Sequence, residues 1–129
     1  MGIEDHPIFV ESITHIRKHL GETGLDALQQ QVLERLIHSS GDFAIAPLLR
    51  FSPDACLSGI KALKAGASIL TDTAMAAAAI EPMAKRTLNS SVKTVLQWAP
   101  KVAPPGWTRT AAGIELAWQD LSQKFKGHR

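Results

Sequence analysis

The sequence predicts an α/β domain with three layers, helices on both faces of a parallel sheet. Two observations carry that expectation. Amphipathic helical stretches alternate with short stretches that favour β-structure, and helix–strand–helix–strand–helix order implies parallel strands joined by helical crossovers. The chain has 129 residues, 45% hydrophobic and 20% charged, which suits one compact domain spanning 1–129. No internal repeat or linker-like composition divides it.

The elements follow in order. Residues 7–20 read as a helix, with Pro7 suited to the first turn. Phe9, Ile13, Ile16 and Leu20 form its apolar stripe, and Gly21 is its stop. Residues 25–39 read as a second helix with Leu25, Leu28, Val32 and Leu36 facing the core. Glu34, Arg35 and His38 then project to the other side, and Gly41 lies past the end. Residues 51–66 form a third helix, with Ser52 as N-cap, Pro53 at the first helical position and Gly66 at the close. ASILTD, 67–72, reads as a short buried strand. It leads into the helix TAMAAAAIEPM, whose small side chains permit close backbone approach. VKTVLQW, 92–98, alternates and favours β. APKVAPPG is a Pro-rich loop. Residues 109–125 form a last amphipathic helix using Ile114, Leu116, Ala117, Trp118 and Leu121.

Charge narrows the function classes. The net charge of +2 is too small to argue for nucleic acid. Residues 1–60 carry a balance of −4 and residues 61–129 a balance of +6. That asymmetry suits an anionic ligand or two surfaces of opposite sign. A single cysteine, Cys56, excludes an intrachain disulfide and fits a reducing compartment. The start MGIEDHP has no signal-peptide apolar region and lacks the Ser/Thr of a myristoylation signal. AMAAAAI is too short to span a bilayer. These features together read as a cytoplasmic protein without membrane partners.

Motifs for common chemistries are missing. GETG lies between helices with no strand before it, so it is no phosphate loop. There is no GxSxG elbow. His15 and His19 share a helix face at i, i+4, but no HExxH or third ligand accompanies them, so two exposed histidines is the favoured reading. Nothing near Cys56 would activate a thiol. His38 stands out in LERLIHSSGDF. SSGD is enough to stop the helix, and the histidine is not needed for that. The dipole at a helix end could account for it structurally. An imidazole that titrates near pH ~6.5 is also the side chain suited to moving protons.

HPIFVESITHIRKHL, VLERLIHSSGDF, LLRFSPDA, KALKAGASILTDTAM and TRTAAGIEL occur in an order and at separations that resemble the precorrin-8X methylmutases. These are the precorrin isomerases, or cobalt-precorrin-8 methylmutases, of corrin (vitamin B12) biosynthesis. The resemblance runs through nearly the whole chain, and LIHSSGDF is its most specific element. It implies an isomerase that moves a methyl group from ring carbon 11 to ring carbon 12 of precorrin-8X or cobalt-precorrin-8. The product is hydrogenobyrinate or its cobalt counterpart, and no cofactor and no protein-bound metal are needed. It also implies His38 as the catalytic proton donor and acceptor, and Ser12, Arg35 and Arg109 as substrate contacts. Thr71, Asp72 and Met75 would line or support the cleft, and the protein would be a homodimer. Guanidinium groups suit a substrate fringed with acetates and propionates.

The chain departs from the family pattern in two places. Ala79 stands where a glycine is usual. After TRTAAGIEL the family continues through further strand and helix, whereas this chain reads WQDLSQKFKGHR; the expectation is a C-terminally shortened domain with exposed strand edges and apolar surface. The alternative to catalysis is a non-catalytic relative that binds a corrinoid or a full-length subunit.

Overall fold

A computed structural model describes residues 5–126 of the chain. Part of the MGIEDHP stretch, residues 1–4, and the terminal residues 127–129 lie outside it. The described order is α1 (Pro7–Leu20), α2 (Ala27–Ser40), a 3-10 helix (Phe43–Leu48), α3 (Ala55–Lys64), β1 (Ile69–Thr71), α4 (Ala74–Thr87), β2 (Val92–Thr94), a 3-10 helix (Val95–Gln97) and α5 (Arg109–Lys126). The α/β class holds, with a small parallel sheet. The chain divides into two compact units at the step from Ser58 to Gly59, within α3.

The first unit is built on the hairpin of α1 and α2. Pro7 opens α1, and the His6 ring accepts a hydrogen bond from the Ile8 amide at 3.1 Å. The helix ends at Gly21 as expected. Helix α2 starts at Ala27, two residues later than the apolar pattern suggests. Asp26 and Gln29 form a reciprocal capping box there, and Leu25 sits before the cap against the core. Gly41 closes the helix with φ +69°, a left-handed conformation that costs glycine little.

The expected core stripe of α2 is corrected by the structure. Val32 and Leu36 are each 39% exposed, whereas Leu33 is 1% and Ile37 2% exposed. Leu33 and Ile37 pack with Ile13 and Ile16 of α1, joined by Phe9, Leu20 and Phe43. Both stripes are apolar at helical spacing, so periodicity alone could not choose between them. The same rotation carries Glu34 from the expected solvent side into the interior. Its side chain is 2% exposed, and its Oε2 accepts from Arg17 Nε at 2.8 Å and from Gln30 Nε2 at 3.1 Å. Gln30 in turn accepts from the Thr23 hydroxyl. The Arg17 hydrogen bond is the main reason the Glu34 carboxyl titrates below its ordinary range; burial works against it, and Gln30 and the Arg17 charge add to the lowering.

The expected start of α3 at Ser52 and Pro53 is also corrected. Asp54 takes φ +58°, and the Ala55 amide donates to the Ser52 carbonyl at 3.2 Å. Ser-Pro-Asp-Ala is therefore a β-turn, with proline at its second position and a left-handed residue at its third, and α3 begins only after it.

In the second unit β1 and β2 pair in parallel, Ile69 opposite Val92 and Thr71 opposite Thr94, with α4 as the crossover. Thr73 caps α4 by accepting from the Ala76 amide at 3.1 Å. The strand expected over 92–98 stops at Thr94, whose hydroxyl accepts from the Leu96 amide at 3.3 Å and turns the chain into the 3-10 helix. Helix α5 packs there through Ala112, Gly113 and Ala117, all buried, rather than through the larger residues of its expected stripe. Ile114 is 50% and Trp118 68% exposed. Gly113 explains the difference. A Cβ at that position would lie 2.4 Å from the Val95 carbonyl oxygen, so the two backbones meet where large side chains cannot fit. Trp98 Nε1 closes the contact on Asp120 Oδ2 at 2.9 Å. That bond, with smaller contributions from Lys124 and Lys93, lowers the Asp120 carboxyl below its usual range.

Two outcomes follow for stability. Replacing Gly113 with Ala gains about 1 kcal/mol of helix propensity. A clash with backbone costs about 1–3 kcal/mol or more. Denaturant melts of Gly113→Ala will therefore show net destabilisation. Glu34 is held ionised in the folded state, so its contribution is present above the unfolded glutamate value of about 4.3 and is lost as pH falls through the lower folded value. Arg17→Ala leaves that buried carboxylate with Gln30 and costs about 1–3 kcal/mol near pH 7. Thermal melts across pH 3–7 will show a shallower acid dependence in Arg17→Ala than in the parent chain.

Candidate active site

The antiparallel hairpin places the first turns of α1 beside the last turns of α2. The Glu34–Arg17 pair fixes how far along one helix the other sits. Ser12 lies five residues before Arg17, and His38 four residues after Glu34. Their side chains meet, with Ser12 Oγ 2.8 Å from His38 Nδ1. Ser12 is half-buried and His38 exposed. Phe9, one turn before Ser12, sets its ring edge-on to the imidazole, with centroids 4.8 Å apart and planes at 85°.

Arg35 stands one turn before His38 on α2. Its guanidinium carbon lies 4.4 Å from the Phe9 centroid, a cation–π contact. Its Nη2 reaches Asp5 Oδ1 at 3.5 Å, an exposed pair of little energetic weight. Phe9 therefore touches both expected functional side chains of α2. It lines, with Arg35, Arg17, Val10 and Ile13, an open groove of about 300 Å³. His38 does not line that groove. Such a volume is at the small end for ligand pockets.

The structure thus brings together three of the four expected site residues, Ser12, Arg35 and His38. The fourth, Arg109, opens α5 in the second unit and donates from Nε to the Pro100 carbonyl at 2.9 Å. Thr71, Asp72 and Met75 also belong to that unit. Thr71 is buried and donates to the Thr73 carbonyl at 2.7 Å, so its hydroxyl serves the turn into α4. Asp72 and Met75 are exposed. His15 and His19 are exposed, and the His19 ring lies tilted at 46° against Phe43, with centroids 4.2 Å apart. Among the described residues no group of three or more His, Cys, Asp or Glu side chains could hold a metal ion, and no helix is long and apolar enough to cross a membrane. Cys56 is a half-buried free thiol.

Phe9 and Asp5 were not among the expected site residues. Phe9 reads as core from its spacing and is core on one side; its second role needs the hairpin register, which no single helix reveals.

Comparison with known proteins identifies the family. The family model described as precorrin-8X methylmutase matches residues 7–125. A cobalt-precorrin-8 methylmutase of Synechocystis sp. is 34% identical over 125 residues, covering 86% of this chain and 57% of that protein. A precorrin-8X methylmutase of Pseudomonas aeruginosa is 33% identical over 110 residues, covering 84% and 53%. The crystal structure of a precorrin-8x methyl mutase from Thermus thermophilus superposes with a TM-score of 0.71 at 33% identity, covering 88% of this chain and 56% of that one. The chain therefore spans a little over half the length of these relatives. With a family model matched over almost its whole length and a fold shared with a solved member, the chain belongs to the precorrin-8X methylmutase family.

Proposed function

We propose that this chain is an isomerase of cobalamin biosynthesis that moves a methyl group from ring carbon 11 to ring carbon 12 of precorrin-8X or cobalt-precorrin-8. The observation that supports this best is the meeting of Ser12, Arg35 and His38 around Phe9 at the open end of the α1–α2 hairpin. The methyl group stays on its own molecule, so the reaction needs no donor, redox cofactor or metal supplied by the protein. It does need a proton placed on and taken from the conjugated macrocycle, because protonation draws electron density toward the acceptor carbon. An exposed imidazole at the end of a helix can reach a flat ligand lying over it and is chemically suited to that exchange.

Arg35 supplies a cation beside the same surface. Its resting partners are a ring face and an exposed carboxylate, both of which a substrate carboxylate can displace at small cost. A bidentate guanidinium–carboxylate pair is stronger than either. Arg109, which opens α5 in the second unit, is in this reading a further substrate contact. In this reading the enzyme works in the cytoplasm as a homodimer.

The test follows the visible spectrum of precorrin-8X, or of its cobalt form, as the corrin chromophore appears. His38→Ala is expected to lower turnover by about 10²–10⁴-fold, the range of a lost acid–base group. Arg35→Ala is expected to raise KM by about 10–100-fold, the loss of one or two charge-assisted hydrogen bonds. Binding of the macrocycle without spectral conversion by the parent chain would point instead to a non-catalytic corrinoid-binding relative.

A further inference from the structure

We infer that Ser12 is a positioning residue for His38. It accepts a hydrogen bond from Nδ1–H and so leaves Nε2 as the atom that exchanges the proton. The inference rests on the catalytic reading of His38, and it assigns Ser12 a role beyond contact with the substrate.

The geometry separates Ser12 from neighbouring hydroxyls. On α1, Thr14 donates back to the Val10 carbonyl at 2.9 Å, and on α2, Ser40 donates back to the Leu36 carbonyl at 2.7 Å. Both satisfy themselves on their own helix, as hydroxyls in helices commonly do. Ser12 instead reaches across the hairpin to a side chain 26 positions away, at 2.8 Å. Phe9 holds the imidazole edge-on from the same helix. Two contacts from α1 therefore fix the ring of a residue on α2. Among the described residues Nε2 has no hydrogen-bond partner, and the ring is exposed.

Proton bookkeeping gives the bond its direction. When His38 is an imidazolium both ring nitrogens carry hydrogen, so Ser12 can only accept from Nδ1–H. When the proton leaves from Nε2, Nδ1–H stays in place and the hydrogen bond survives unchanged. The ring then moves in neither direction of the exchange. Loss of the proton from Nδ1 would instead turn the serine hydroxyl around and deliver the proton toward the helix, away from the open surface. The serine hydrogen stays free throughout to donate to a carboxylate of a bound substrate. The group acts as a fixed acceptor of the kind that sets imidazole tautomers elsewhere.

Two-bond proton–nitrogen correlation spectra of the ¹⁵N-labelled chain read the tautomer directly, with His38→Gln to assign the signals. At a pH where the ring is neutral, the parent chain is expected to carry the proton on Nδ1. Ser12→Ala is expected to move it toward Nε2, the form favoured by free histidine. Ser12→Thr, which keeps the hydroxyl, is expected to restore Nδ1–H. A parent chain with Nε2–H, or a tautomer unchanged in Ser12→Ala, overturns the inference. In turnover, Ser12→Ala should lower kcat about tenfold, the rate equivalent of one neutral hydrogen bond, beside any rise in KM from the lost substrate contact. A raised KM at unchanged kcat would make Ser12 a substrate contact alone and overturn the positioning role. The spectra need no substrate, so they decide the role of Ser12 even if the chain shows no methyl migration, a result that would count against the proposed function instead.

Discussion

A single buried carboxylate sets the register on which the rest of the candidate site depends. Glu34 has almost no solvent contact, and its charge is tolerable only because Arg17 and Gln30 both donate to it. Arg17 comes from the opposite helix and keeps its outer face in water, 60% exposed. The pair is thus anchored at one end in the interior and wet at the other. This spares it much of the desolvation that makes fully buried pairs weak. A slide of α1 by one turn would break the bond and strand the carboxylate. The apolar contacts of Ile13 and Ile16 with Leu33 and Ile37 are less particular, since aliphatic side chains would repack after a slide. Shape gives the hairpin its stability, and the ion pair gives it one alignment. That alignment puts Ser12 opposite His38 and Phe9 opposite Arg35.

Much of this was legible in the amino-acid sequence, and the misses have two causes. The bounds of α1 follow from proline at a first turn and glycine past an end, and the parallel pairing with its helical crossover from the alternation of helix and strand. Two of the wrong readings came from deciding which face of a helix was buried. For α2 the sequence offers two apolar stripes, and the choice between them is made by α1. For α5 the large residues looked like core. In fact Gly113 brings the helix so near the Val95 carbonyl that only Ala112 and Ala117 fit beside it. The early end of β2 and the late start of α3 are different in kind, since hydrogen bonds of Thr94 and Ser52 win over the longer pattern. His38, Ser12 and Arg35 were identified by family resemblance. Local physics alone left an exposed histidine at a helix end as an adequate explanation.

The charge asymmetry also gains a structural meaning. The division into two compact units falls between Ser58 and Gly59, so the acidic balance belongs to the first unit and the basic balance to the second. The first unit carries the imidazole and Arg35. The second carries Arg109 and most of the lysines. In the first unit two of the four cations, Arg17 and Arg35, already have carboxylate partners.

The His38 imidazole is exposed in the last turn of α2. A proton carrier for a large flat ligand cannot sit at the bottom of a narrow cavity, because the ring system could not follow it in. It has to stand at a surface, and a surface side chain ordinarily wanders among rotamers. The sequence spends two residues of α1 on that difficulty. Phe9 limits the tilt of the ring, and Ser12 limits its rotation. Both are placed by the same hairpin register, so the imidazole is held by neighbours that are themselves held by the core. An exposed histidine with that support combines access with a fixed orientation, the two properties that the proposed proton exchange requires.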